Sequence, residues 1–267
     1  MNEDVGDDAE KNGVGILWEG LVNFEHPDEL SELLQECLDQ NREWGSSASQ
    51  HAKVSLRKTL LVAQKAQCAY CRRRIKDELG HVEIDHILPK SAKGDIAKST
   101  SNAEADRFCT QGYPQFSFEK RNLILTCKRC NNKKGSYDSR SNRSIAADPG
   151  YTLNSNYYSW VHPYTDQYSE HISLHKGLIY TPLNGSIKGD ALIRICKLDS
   201  ISAVEALARE LIAKSAGGYI KAIMKLLGGV NETGWEVLTD SVIEAFPDID
   251  PDIIARKVDE FRRASGE

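Results

Sequence analysis

The stretch Asn122-Leu123-Ile124-Leu125-Thr126-Cys127-Lys128-Arg129-Cys130-Asn131-Asn132-Lys133-Lys134-Gly135 changes character at its two cysteines. Leu123, Leu125 and Cys127 alternate with Asn122, Ile124 and Thr126, the period-two pattern of a strand. The C-x-x-C of Cys127 and Cys130 follows, and a short basic helix is expected to start near Cys130. Upstream, in His81-Val82-Glu83-Ile84-Asp85-His86-Ile87-Leu88-Pro89-Lys90, Val82 and Ile84 alternate with His81, Glu83 and Asp85, and Pro89 ends the strand. A second C-x-x-C, Cys68 and Cys71, lies before it. Such a loop aims two thiolates at one tetrahedral Zn2+, and two loops complete a closed four-cysteine site. Seven cysteines, an odd number, argue against a disulfide framework. Cys37, Cys109 and Cys196 stand singly and read as small buried hydrophobes.

Strand, loop, strand and a helix opening at a zinc knuckle would fold Asp85, His86, Asn122 and Asn131 into one cleft. Neighbours in a regular strand point to opposite faces, so Asp85 and His86 can serve one ligand only at a strand end, which Pro89 supplies. Over residues 68–135 the chain resembles the HNH endonucleases, the ββα-metal nucleases, and within them the zinc-stapled branch. The Asp-His pair, the asparagine opening the second strand, the asparagine nine positions on and the flanking C-x-x-C pairs carry the resemblance.

That resemblance implies metal-dependent hydrolysis of phosphodiester bonds, leaving 5′-phosphate and 3′-hydroxyl ends. His86 is suited to general base, since an unperturbed imidazole has a pKa of ~6.5. Asp85 and Asn131 would offer oxygens to one catalytic divalent cation, and Asn122 would orient His86. Many family members carry histidine where this chain has Asn131, so Mg2+ or Mn2+ suits the site better than a second Zn2+. Taken alone, His86 also fits a hydrogen-bonded core histidine, and Asn131 a helix cap.

The net charge of −5 conceals a segregation. Residues 1–50 carry 13 acidic against 2 basic side chains, residues 51–145 carry 9 against 20, and residues 146–267 carry 17 against 12. A basic middle suits a phosphate-bearing ligand. Arg72, Arg73, Lys90, Lys128, Arg129, Lys133 and Lys134 border the expected cleft and are candidate nucleic-acid contacts. The expected partner is nucleic acid, double-stranded DNA by the family's habit.

The expected fold is α+β, in three parts: an acidic tail and helix over 1–50, the basic zinc-stapled core over 51–145, and a β-then-helical extension over 146–267. Leu30, Leu33, Leu34, Cys37 and Leu38 predict a helix after Pro27, and Leu56, Leu60 and Ala63 a second over 51–65. Residues 91–118 read as a long loop with a short helix near 103–108. Ile172, Leu174, Leu178, Ile179, Ile193 and Ile195, with turn pairs Asn184-Gly185 and Gly189-Asp190, predict β structure over 157–199. Helices are expected from Ser200 onward. Tyr157, Tyr158, Trp160 and Tyr164 could stack bases, though a hydrophobic cluster suits them better.

No stretch approaches ~18 uninterrupted apolar residues, and the acidic start is no export signal, so a cytoplasmic soluble protein is expected. The order of parts resembles the HNH subunits of Septu- and retron-associated bacterial defence systems, which work with a separate ATPase. The chain has no phosphate-binding Gly-rich loop ending in Lys-Ser/Thr, so an ATPase would be a partner. Two other classes stay open: a zinc-stabilised nucleic-acid-binding module without catalysis, and a subunit whose acidic ends dock a partner.

Overall fold

Strands β1 (Val82–His86) and β2 (Leu123–Cys127) pair antiparallel, with Val82 opposite Cys127 and His86 opposite Leu123. The computed structural model describes residues 18–78, 80–175, 179–200, 235–245, 247 and 250–264. The outer edge of β2 is closed by a side chain: buried Gln64 donates to the Leu125 carbonyl (2.9 Å) and accepts from its N–H (2.8 Å), while the Ala69 N–H bonds the same carbonyl (3.0 Å). An edge so satisfied cannot recruit another strand. Gln64 follows helix α2 (Gln50–Ala63), whose Leu56 and Leu60 are buried. Helix α1 (Asp28–Asp39) packs on α2 and buries Leu30, Leu34 and Cys37. Pro27 stands one residue before α1 rather than in its first turn.

β2 runs directly into α3 (Lys128–Lys134), which lies against both strands. Cys127 caps this helix, its sulfur accepting from the Cys130 N–H, so α3 begins at Lys128, two residues before the expected start. The pattern expected β structure at Ile193 and Ile195, but both lie in helix α4 (Ile187–Cys196). Ala191, Leu192, Ile193, Ile195 and Cys196 are buried there while Ile187, Asp190 and Arg194 are exposed, and Ile193 and Ile195 on either side of exposed Arg194 imitate the alternation of a strand over so short a run. Ser186 supplies the N-cap, accepting from the Gly189 N–H at 3.1 Å, so Gly189-Asp190 belongs to the first helical turn and not to a hairpin.

Residues 91–118 form three short 3-10 turns, at Ile96–Lys98, Glu104–Asp106 and Pro114–Phe116. Gly112 lets this segment fold onto itself: its φ is +78°, and a Cβ there would sit 2.3 Å from the Ser91 carbonyl carbon. Internal cations tie the segment down. Arg143 donates to the Ser99 carbonyl (2.7 Å), the Ser101 carbonyl (2.9 Å) and the Cys109 carbonyl, and its Nε lies 3.3 Å from Asp138 Oδ2. Arg107 donates to the carbonyls of Asp138 and Arg140 (3.1 and 2.6 Å). Tyr158, Trp160 and Tyr164 are buried, Trp160 packing on Tyr70 with ring centres 4.9 Å apart, so they serve the core rather than a base-stacking surface.

One compact unit comprises Leu17–Ile172 and Pro182–Lys197, in which α1 packs on α2, α2 on β2 and α4 on α3, and the Tyr164 hydroxyl bonds the Leu123 carbonyl. The other contains Ser173–Thr181 and the described residues from Leu198 onward. Strands β3 (Ile172–His175) and β4 (Ile179–Pro182) form a two-stranded sheet, and helices over Trp235–Ala245 and Pro251–Ala264 pack together. The helices expected around Val204–Leu211 and Ile220–Leu227 fall outside the described residues, as does the acidic start. Among the described residues no helix is long and apolar enough to cross a membrane.

Truncating Arg143 would remove the cation paired with Asp138, whose side chain is 1% exposed, and leave three carbonyls without their donor. Arg143→Ala is therefore expected to lose about 3–5 kcal/mol of stability in urea unfolding. A loss under ~1 kcal/mol would contradict the anchoring role.

Candidate functional site

The sulfurs of Cys68, Cys71, Cys127 and Cys130 all lie within 4.8 Å of one another, and Cys71 and Cys127 are 3.8 Å apart. A tetrahedral site with Zn–S bonds of about 2.3 Å requires sulfurs about 3.8 Å apart, so the cluster could hold a zinc ion. All four are free thiols. The neighbouring thiols of Cys130, Cys68 and Cys71 hydrogen-bond the Cys127 sulfur and push its pKa down. Buried Cys196 lies beside Cys130, a proximity its position in the sequence gave no sign of.

Arg72 was expected at a phosphate, but it is buried behind this knuckle. Its φ is +57°, and its guanidinium is sandwiched between Trp18 (4.1 Å) and Tyr168 (4.0 Å), which accounts for an arginine in that turn. The first knuckle also reaches the cleft. Tyr70, between its two cysteines, donates to Asp85 Oδ2 at 2.6 Å. Burial, then the Asp85 charge, raises the Tyr70 pKa well above its ordinary value, so the phenol remains a donor. Lys134 Nζ approaches Asp85 Oδ1 (3.1 Å) and donates to the His86 carbonyl (2.6 Å). Each Asp85 oxygen thus accepts one hydrogen bond and keeps a lone pair.

His86 ends β1, where the chain leaves the sheet. Its Nε2 lies 3.0 Å from the Ser117 carbonyl, which can only accept, so Nε2 carries the proton and Nδ1 the lone pair. The Trp44 ring packs edge-on against the imidazole at 4.5 Å. Burial, then the charges of Lys90 and Lys134, lowers the His86 pKa to about 3, so the ring is neutral across the physiological range.

Asn122 is fully buried and does not touch His86 or the cavity beside it. Its side chain accepts from the Leu88 N–H (2.7 Å) and donates to the Leu88 and Phe116 carbonyls (3.1 and 3.0 Å). These bonds hold the Leu88 and Phe116 backbone, next to the Ser117 whose carbonyl meets His86. Asn131 donates its amide N–H to Glu83, which leaves Oδ1 free of hydrogen bonds among the described residues. Glu83 reads from the sequence as a solvated strand residue; only the α3–β1 packing reveals this contact.

Asp85, His86, Asn131 and Lys134 line a cavity of about 490 Å3, together with Lys90, Lys133, Lys93, Trp44 and Phe108. A carboxylate, an unencumbered amide oxygen and a free imidazole nitrogen suit a hard divalent cation beside a base. Of the seven basic candidates, Lys90, Lys133 and Lys134 line this cavity, and Lys134 is committed to Asp85. Lys128 is exposed on α3, Arg129 donates to the Lys197 carbonyl (2.7 Å) and Arg73 is half-buried, all three away from the cavity lining. Trp44 and Phe108 carry no signal in the sequence, because they come from segments outside the motif.

Over 121 residues the chain is 28% identical to the Septu protein PtuB of Bacillus thuringiensis. The match covers 45% of this chain and 39% of that protein's length. No protein-family model matches the chain, and no solved structure does.

Structural zinc sites contribute roughly 10–16 kcal/mol of apparent binding free energy, so metal and fold should be lost together. Cys68→Ser and Cys127→Ser are expected to lose stoichiometric zinc by elemental analysis and to unfold or aggregate. Variants that stay folded and retain the ion would overturn the assignment of this cluster.

Proposed function

We propose that this chain is a metal-dependent endonuclease of the HNH type, hydrolysing phosphodiester bonds in nucleic acid. One observation carries the reading: His86, tied at Nε2 to a backbone carbonyl, lines a cavity that Asp85 and Asn131 share. In this reading His86 Nδ1 takes a proton from water as the water oxygen bonds to phosphorus, and the 3′-oxygen departs with the electrons of the broken P–O bond. Lys90 and Lys133 receive the phosphate and offset its charge. The positive field of Lys90, with that of Lys134, is part of what depresses His86, and an anion beside Lys90 would raise its basicity. Asp85 and Asn131 would hold Mg2+ or Mn2+, whose Lewis acidity would stabilise charge on the phosphate and the departing oxygen. Tyr70 and Asn122 hold Asp85 and the Ser117 carbonyl in place.

We further propose a role in anti-phage defence of the Septu kind, supported by the similarity to PtuB, with a separate ATPase as partner. A second reading, a non-catalytic zinc-stabilised nucleic-acid-binding module, is favoured by the Lys134 ion pair, which already neutralises Asp85 without any metal.

His86→Ala distinguishes the two. Plasmid nicking by the unaltered protein in Mg2+ or Mn2+, suppressed by chelator, should fall at least about 100-fold in the variant. Its zinc content and melting temperature should be unchanged. Binding without cleavage under every divalent ion would favour the second reading.

A further inference from the structure

Phe108 is 42% exposed, yet it does not lie in a loose loop. Arg107 before it is buried and bonded to two interior carbonyls, and the carbonyl of Cys109 after it accepts from Arg143. The Phe108 carbonyl accepts from Ser136 Oγ at 2.7 Å, and its ring meets buried Tyr137 edge-on at 5.5 Å. Lys93 and Thr110 bond each other's backbone in both directions, at 2.8 and 2.9 Å, which ties Lys93 to the ribbon that bears Phe108. The fold thus holds an exposed aromatic ring in a fixed place beside three lysines, on the cavity that contains His86. Trp44 adds a second aromatic side chain to that lining, its own carbonyl clamped by Lys53 Nζ (3.0 Å) and Ser49 Oγ (2.9 Å).

Cations at a phosphodiester site require only a backbone, and a duplex would satisfy them. A fixed aromatic face is different, because in a duplex every base face is covered by its neighbours. The ring has a use for nucleic acid when a base is unpaired and free to stack. We infer that the cavity accepts an unpaired strand, single-stranded or looped, with a base next to the scissile phosphate stacking on Phe108 and Trp44 bounding the same space. The inference rests on the nuclease reading of this cavity and departs from the duplex expected by family habit.

The test uses zinc-loaded His86→Ala protein, with and without Phe108→Ala. Fluorescein-labelled probes are a single strand, its perfect duplex, and a duplex with a central unpaired loop, each as DNA and as RNA. By anisotropy, the single strand and the loop should bind at least about tenfold more tightly than the duplex. Phe108→Ala should remove most of that difference while leaving duplex binding unchanged. Phe108→Trp should retain the preference, whereas Phe108→Leu, apolar but without a π face, should not. Equal affinity for duplex and single strand, or a preference that survives Phe108→Ala, overturns the inference while plasmid nicking still upholds the nuclease reading. Absence of binding to every probe, with no nicking by the unaltered protein, overturns both.

Discussion

Four sulfurs within 4.8 Å of one another join the loop before β1 to the junction of β2 and α3, and the candidate site is built on that junction. Each knuckle has a second task. Cys127 caps the helix that carries Asn131 and Lys134, and Tyr70, between Cys68 and Cys71, orients Asp85. Holding the sulfurs together therefore sets where the carboxylate sits relative to the amide. The antiparallel register sets the rest, since the strand that ends in His86 is paired with the one that leads into α3.

Much of the positive charge between residues 51 and 145 is used inside the protein. Arg72, Arg107, Lys134, Arg140 and Arg143 are all buried. The arginines among them mostly neutralise main-chain carbonyls in segments that have no ladder to satisfy them, which the planar five-donor guanidinium does well. Arg140, for example, donates to the carbonyls of Ile145 and Ala146 at 2.9 and 3.0 Å. The charge left for a ligand is smaller than the composition suggests but concentrated, with Lys90, Lys93 and Lys133 around one cavity.

Within the cavity the groups hold one another in fixed orientations. Ser117 selects the His86 tautomer, Tyr70 and Lys134 hold Asp85 between them, and Glu83 turns the Asn131 amide. Preorganisation of this kind spares a catalytic site the cost of reorienting dipoles during reaction. Asn122 contributes at one remove, through the Phe116 and Leu88 backbone, and its burial is consistent with that task.

The cysteine spacing, the alternation at Val82–His86 and Leu123–Cys127, and the order Asp85, His86, Asn131 are local properties, and they were legible because spacing along the chain dictates them. The same held for α1 and α2, each amphipathic against one neighbour. α4 was misread, because Ile193 and Ile195 on either side of exposed Arg194 imitate the alternation of a strand over a short run. The basic residues could not be sorted by sequence either: Arg72 and Lys90 look alike until packing puts one between two aromatic rings and the other at a cavity. Trp44, Phe108 and the Ser117 carbonyl reach His86 or its cavity from segments far from it in the chain. Such contacts depend on how those segments fold back, and only the tertiary structure decides that.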